Sequence, residues 1–173
     1  MGLFGTKAWT ASLRENRIHD VNEVEHLTDQ HRRALEGEAW HGPAIRDVLK
    51  GVTAKVAAAR PLPDAHSIWE IVHHIEAWDG SVLGRLIGKP VDMSDPDTDW
   101  PPVRDTGPAA WKRSVKSMEA THAKLNRAIA GLTPKRLDQN VAPRRAIKLY
   151  HLIHGVIQHE IYHAGQIALL KKG

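Results

Sequence analysis

The amino-acid sequence predicts an all-α protein, a single four-helix bundle with a long connection between helices two and three. Four long segments carry apolar residues at three- and four-residue spacings, and no segment shows a convincing strand alternation. The chain has 173 residues, of which 42% are hydrophobic and 25% charged, enough for one core but not for two independent enzymatic domains.

The first long helix is predicted from about Asn22 to Glu36, because apolar side chains recur there at helical spacing and Gly37 follows. Residues 1–21 show no sustained period, so we expect an N-terminal arm or short extra helix before a bundle over residues 22–173. After the first helix, two short helical pieces are expected at 44–49 and 53–59.

The second long helix is predicted from Ile68 to about Ile87, because Ser67 and Glu70 form a capping box ahead of an apolar run. Residues 88–108 then change to Pro, Asp, Gly and Thr, a composition that no helix or central strand would absorb. Connections of this length are uncommon in compact domains and tend to be functional or to cross between distant elements.

The third helix is predicted to begin near Ala109 and to end before Gly131. The fourth is predicted from about Ala146 to Leu170, a strongly apolar stretch without proline.

Composition excludes several classes of function. Cysteine is absent, which removes disulfides, thiolate ligands and a cysteine nucleophile. The net charge of +4 is spread over short basic pairs, too weak a pattern for nucleic-acid binding. Without an apolar run of membrane length or a secretory signal, we expect a cytoplasmic protein with no membrane partner.

Two of the twelve histidines form a pair on the fourth helix. His159 and His163 lie four residues apart on the side that carries Leu152, Val156 and Ile167, so both rings should face the bundle interior. A divalent cation bound by both rings would offset their desolvation. For an isolated pair, hydrogen bonds to backbone or an exposed helix edge remain an alternative.

The second helix offers a third ligand. His74 lies on the flank of its apolar face, whereas His73 falls on the polar side, so His74 is the better inward candidate. His74, His159 and His163 would form a three-histidine set with an open position, which is typical of a catalytic metal site. No general acid or base is assigned.

Two other motifs use the same residues. His159-Glu160-x-x-His163 spells the H-E-x-x-H motif of zinc proteases, but Gln166 and Leu169 occupy positions where the extended metzincin motif needs Gly and His. A protease is therefore not favoured.

A di-iron carboxylate site would use two Glu-x-x-His motifs, Glu70 with His73 and Glu160 with His163. Glu70 and His73 project away from the apolar face, and helix three contributes only Glu119 as an acid, so one metal is favoured over two.

Most of the remaining histidines receive no special role. His31 and His122 are expected at solvated or partly packed positions. His151 and His154 are expected on other faces of the fourth helix, at the surface or as partners of a ligand.

Four motifs together resemble the DinB/YfiT-like superfamily over about residues 22–172: WHGP at 40–43, HSIWEIVHHIEAW at 66–78, DWP at 99–101 and GVIQHEIYHAGQI at 155–167. The resemblance implies an up-down-down-up four-helix bundle. It also implies one divalent metal, often nickel or zinc, on a histidine of helix two and the histidine pair of helix four. These positions correspond to His74, His159 and His163, with His73 as the substitute for His74.

Members of this superfamily with assigned activities use low-molecular-weight thiols such as mycothiol, bacillithiol or glutathione. The resemblance therefore implies a metal-dependent thiol S-transferase that acts on a small electrophile, with a thiol cosubstrate and a homodimeric assembly. The alternatives are a metal-dependent hydrolase that uses metal-bound water, and a non-enzymatic stress or binding protein stabilised by the metal.

Overall fold

The computed structural model describes residues 22–142 and 145–173, so the expected arm at 1–21 lies outside the described residues. The described chain is mainly helical, which confirms the all-α class. Its elements in chain order are α1 (Glu23–Glu36), α2 (Ile45–Leu49), α3 (Ala54–Ala58), α4 (Ile68–Leu86), α5 (Pro96–Asp99), α6 (Pro108–Ala130), α7 (Pro134–Leu137), β1 (Asn140–Ala142), β2 (Arg145–Lys148) and α8 (Leu149–Leu170).

The four long helices pack around a common interior: α4 contacts α6 and α8, and α1 contacts the same two helices. Their apolar faces form two buried clusters. One includes Trp69, Ile75 and Met118, and the other includes Leu27 and Ile153. No helix in the described part of the chain is long and apolar enough to cross a membrane.

Local signals fix both ends of α4. The expected capping box is present, since Ser67 Oγ accepts a hydrogen bond from the Glu70 N–H and Glu70 Oε2 accepts one from the Ser67 N–H. At the other end, the Lys89 N–H donates to the Gly84 carbonyl at 2.7 Å. A Cβ at Gly84 would collide with the Lys89 carbonyl, so this glycine lets the chain fold back closely on the helix.

The long connection between α4 and α6 is present, but it contains one helical turn where the sequence predicted none. Asp95 Oδ1 accepts a hydrogen bond from the Asp97 N–H, and Pro96 occupies the first turn of α5, where it removes no helical hydrogen bond. Because α5 contacts α4, this turn brings Asp99 and Trp100 next to the second long helix.

The start of the fourth long helix was predicted too early. Ala146–Lys148 lie in β2, which pairs antiparallel with β1, and α8 begins only at Leu149. The Leu149 N–H donates to the Gln139 carbonyl at 2.9 Å, which closes the hairpin. In the hairpin, the backbone groups of β2 form hydrogen bonds with β1 and not with a helix. The spacing of apolar residues does not reveal this pairing.

Candidate metal centre

Three imidazole rings from two helices converge on one point. His74 Nε2 lies 2.9 Å from His159 Nε2, which lies 3.0 Å from His163 Nε2. His159 and His163 are one turn apart on α8, so both reach toward α4, where His74 is 6% exposed. The structure thus brings together the three histidines that the sequence singled out.

The hydrogen-bond partners of two rings leave their Nε2 atoms free to bind a cation. His74 Nδ1 lies 2.6 Å from the Asp99 carbonyl oxygen, and His163 Nδ1 lies 2.6 Å from Gln166 Oε1. The Gln166 amide nitrogen donates to Tyr162 Oη at 3.0 Å, which orients its oxygen toward His163. Because these oxygens only accept, each Nδ1 carries the proton and each Nε2 has a lone pair.

The three Nε2 atoms lie too close together for all of them to have satisfactory hydrogen bonds to one another. The Nδ1 atom of His159 is buried and has no hydrogen-bond partner among the described residues. Neutral imidazoles with Nε2 atoms aimed at one point are the donor set that zinc and nickel accept. The residues present therefore fit a divalent metal.

Burial keeps the three rings uncharged. It lowers the pKa of His159 to about 3, with further lowering by His163 and His74, and the pKa of His163 to about 4. Burial also lowers the pKa of His74, although its contact with the Asp99 carbonyl partly opposes this. At neutral pH all three rings are therefore in the form that binds a metal.

The neighbouring histidine on α4 is engaged elsewhere. His73 Nδ1 lies 3.1 Å from the Pro101 carbonyl oxygen, and its Nε2 lies 2.8 Å from Ser114 Oγ on α6. The Trp69 indole also donates to this Nε2 at 3.1 Å. The structure therefore brings His74, and not His73, to the histidine pair of α8.

The segment after α5 covers one side of the site, a role that the sequence reasoning missed. The Trp100 ring stacks on His74 at 3.7 Å between centroids, and His66 stacks on Trp100 at 3.5 Å. The Trp78 indole donates to Asp99 Oδ1 at 2.8 Å, which fixes the same segment. Two signals were available, the unusual length of this connection and the DWP motif at 99–101, but neither identified what these side chains do.

Two cavities adjoin the histidine set. One of about 470 Å³ is lined by His66, Trp100, Tyr162, His163 and Gln166 together with aliphatic side chains. The other, of about 310 Å³, is lined by His159 and by residues of α4, β2 and α8. The first has the size and mainly apolar lining of a small-molecule site.

Glu160 does not take part in the histidine set. A step of one residue rotates the side chain by about 100° around α8, so Glu160 faces α1 and α6. Its Oε1 lies 3.6 Å from His31 Nε2 and 3.5 Å from His122 Nε2. Glu70 is held in the capping box, so neither the protease nor the di-iron arrangement forms at this site.

The expectation that His31 and His122 are solvated or partly packed is wrong. They are 0% and 2% exposed, and their rings stack at 3.9 Å. Burial lowers the pKa of His31 to about 3 and that of His122 to about 4. Burial raises the pKa of Glu160, and the neighbouring carboxyl of Asp79 raises it further.

The protein is thus mainly helical, and His74, His159 and His163 form a candidate metal centre between two of its long helices. A model of the DinB superfamily matches residues 39–167, which is most of the chain. The protein therefore belongs to the DinB superfamily, as its motifs indicated. A search of curated proteins found no match for the sequence.

Proposed function

We propose that the protein binds one divalent cation, nickel or zinc, through His74, His159 and His163, and that it is a thiol S-transferase acting on small electrophiles. The observation that carries this proposal is the convergence of three histidine Nε2 atoms beside a cavity of about 470 Å³. We also propose that the four long helices follow the up-down-down-up order that the sequence motifs imply.

A divalent cation at this position supplies one kind of chemistry: it binds a thiol as the thiolate and lowers the pKa of the sulfur. The chain contains no cysteine, so the thiol comes from a low-molecular-weight cosubstrate. The Asp99 carbonyl and Gln166 Oε1 each hold a proton on the Nδ1 atom of a ligand histidine, which keeps Nε2 available.

The surrounding residues would orient the reactants. Trp100 covers one face of His74 and excludes water there, and it also lines the larger cavity. Tyr162 lines the same cavity and is 63% exposed, so its hydroxyl can contact a bound molecule as well as the Gln166 amide. An apolar electrophile with one polar group would match these walls.

The test compares metal content, thiol binding and turnover in three proteins: wild type, His163→Ala and His26→Ala. His26 is an exposed histidine on α1 and serves as the control. His163→Ala should lose one equivalent of metal relative to wild type and His26→Ala should not. With Co²⁺ in the site, one thiol of a panel of mycothiol, bacillithiol and glutathione should change the visible spectrum.

Conjugation of that thiol to a test electrophile should require the metal lost in His163→Ala. A protein that binds metal while no thiol alters its spectrum or its melting temperature would refute the transferase. Turnover of an ester or amide without thiol would favour the hydrolase. Loss of thermal stability alone in His163→Ala, with no small molecule competing for the metal, would favour a stabilising role.

A further inference from the structure

A second group of polar side chains lies at the centre of the bundle, with one residue from each long helix. His31 of α1, Asp79 of α4 and Glu160 of α8 are each 0% exposed, and His122 of α6 is 2% exposed. Ionisable side chains are rarely buried this completely unless they are paired or bind an ion. We call these four residues the inner cluster.

The inner cluster is poor in hydrogen bonds. His31 Nε2 has no hydrogen-bond partner in the described part of the chain, and the buried carboxyl oxygens of Glu160 and Asp79 have only each other. His31 Nδ1 lies 3.0 Å from Asn126 Oδ1, an acceptor, so the ring carries its proton there and its Nε2 has a lone pair. This lone pair points toward Glu160 and cannot donate to it.

The separations within the inner cluster resemble those between ligands of one ion. His31 Nε2 and His122 Nε2 lie 3.6 Å and 3.5 Å from the same oxygen of Glu160, beyond the usual range of a hydrogen bond. Two atoms that each lie about 2.0–2.2 Å from a tetrahedral zinc ion are separated by roughly this distance. One nitrogen of each ring and one Glu160 oxygen lie within 4.8 Å of one another.

The charges match as well. Burial raises the pKa of both Asp79 and Glu160, so these carboxyls must release their protons when the ion binds. Two neutral imidazoles and two carboxylates then carry two negative charges in total, which one divalent cation neutralises. His31, His122 and Glu160 supply three ligand atoms. Asp79 lies outside that group but contacts Glu160, so its carboxylate must move toward the ion to complete a tetrahedral set with no position left for substrate.

We propose that the inner cluster, formed by His31, Asp79, His122 and Glu160, is a second divalent-cation site with a structural role. It joins all four long helices, whereas the histidine set joins only α4 and α8.

Binding at this site also requires a local rearrangement of His122. His122 Nε2 lies 3.0 Å from the His31 carbonyl oxygen, and the two rings lie in nearly parallel planes. The His122 Nε2 proton bonds this carbonyl, so the ring must move that proton to Nδ1 before Nε2 can bind an ion. An ion in the plane of both rings also requires these planes to intersect, so the His122 ring gives up the carbonyl and tilts toward the ion. The tilt breaks the stacking of His31 and His122.

The experiment removes the histidine set with His159→Ala/His163→Ala and refolds this variant with Zn²⁺, because the inner cluster is closed to solvent. About one equivalent of zinc should remain after removal of free metal. Adding Asp79→Asn should reduce it at least tenfold. Adding Asp105→Asn, a control whose exposed carboxylate lies 3.4 Å from Arg113, should leave it unchanged.

X-ray absorption of the zinc retained by the double variant provides a readout that does not depend on the folding of Asp79→Asn. It should show two imidazoles and carboxylate oxygens. A zinc-free double variant would overturn the proposal and leave Asp79 and Glu160 as carboxyls that share protons. Failure of the proposed function is distinguishable, because wild type and His163→Ala would then bind the same amount of zinc.

Discussion

Gln166 should control metal affinity through the tautomer of His163. Its Oε1 accepts the Nδ1 proton of His163 at 2.6 Å, and His163 is only 3% exposed. In Gln166→Leu the metal-free ring can move its proton to Nε2, where His159 Nε2 lies 3.0 Å away as an acceptor. A metal-bound ring cannot do so, and it keeps a buried N–H without a partner.

An unsatisfied buried donor costs about 1–3 kcal/mol, which corresponds to roughly a 5- to 150-fold weaker affinity. Loss of such a partner of a ligand histidine typically weakens metal binding by about 10- to 100-fold. We therefore expect Gln166→Leu to bind Zn²⁺ about 10- to 100-fold more weakly at the site that His163→Ala removes. Competition with a chromogenic chelator at pH 7 measures this affinity.

Two variants separate the hydrogen bond from other effects of the substitution. Gln166→Glu keeps an oxygen acceptor for His163 and should bind Zn²⁺ at least as tightly as wild type, since a charged acceptor strengthens the bond. Tyr162→Phe removes only the partner of the Gln166 amide and should have a small effect. Wild-type affinity in Gln166→Leu, together with loss of metal in His163→Ala, would refute this reasoning.

Three further predictions concern pH and stability. Burial lowers the pKa of His159 to about 3, that of His163 to about 4, and that of His74, so zinc affinity should fall less steeply from about pH 7 to about pH 5 than at a site of three ordinary histidines; a steep loss below the ordinary histidine pKa would contradict this. Gly84→Ala should lower the free energy of unfolding by about 1–3 kcal/mol through its clash with the loop backbone. Gly155→Ala, the control, meets open space on α8 and should raise the free energy of unfolding by roughly 0.4–1 kcal/mol. Equal urea midpoints for the Gly84→Ala and Gly155→Ala variants would show that the clash is absent. Ser67→Ala removes the α4 cap and should cost about 1 kcal/mol in the same titration, and an unchanged midpoint would count against the capping box.

The sequence alone determined the features that depend on neighbours along the chain. Helix ends follow from caps such as Ser67 with Glu70, and the pairing of His159 with His163 follows from the four-residue spacing of a helix. The choice of His74 over His73 followed from the same projection, because an apolar helix face turns inward wherever the helix packs. These signals were sufficient to find the three converging rings.

Only the tertiary structure decided which elements face one another. It showed that β2 replaces the first residues predicted for α8, and that Trp100 covers His74. It also showed that His31 and His122 are buried beside Glu160. His31 follows Leu27 by four residues and His122 follows Met118 by four, so both lie on apolar faces, but this spacing does not reveal which groups they meet. The physical reason is that burial and electrostatic environment depend on residues far apart in the chain, which helical periodicity cannot bring together.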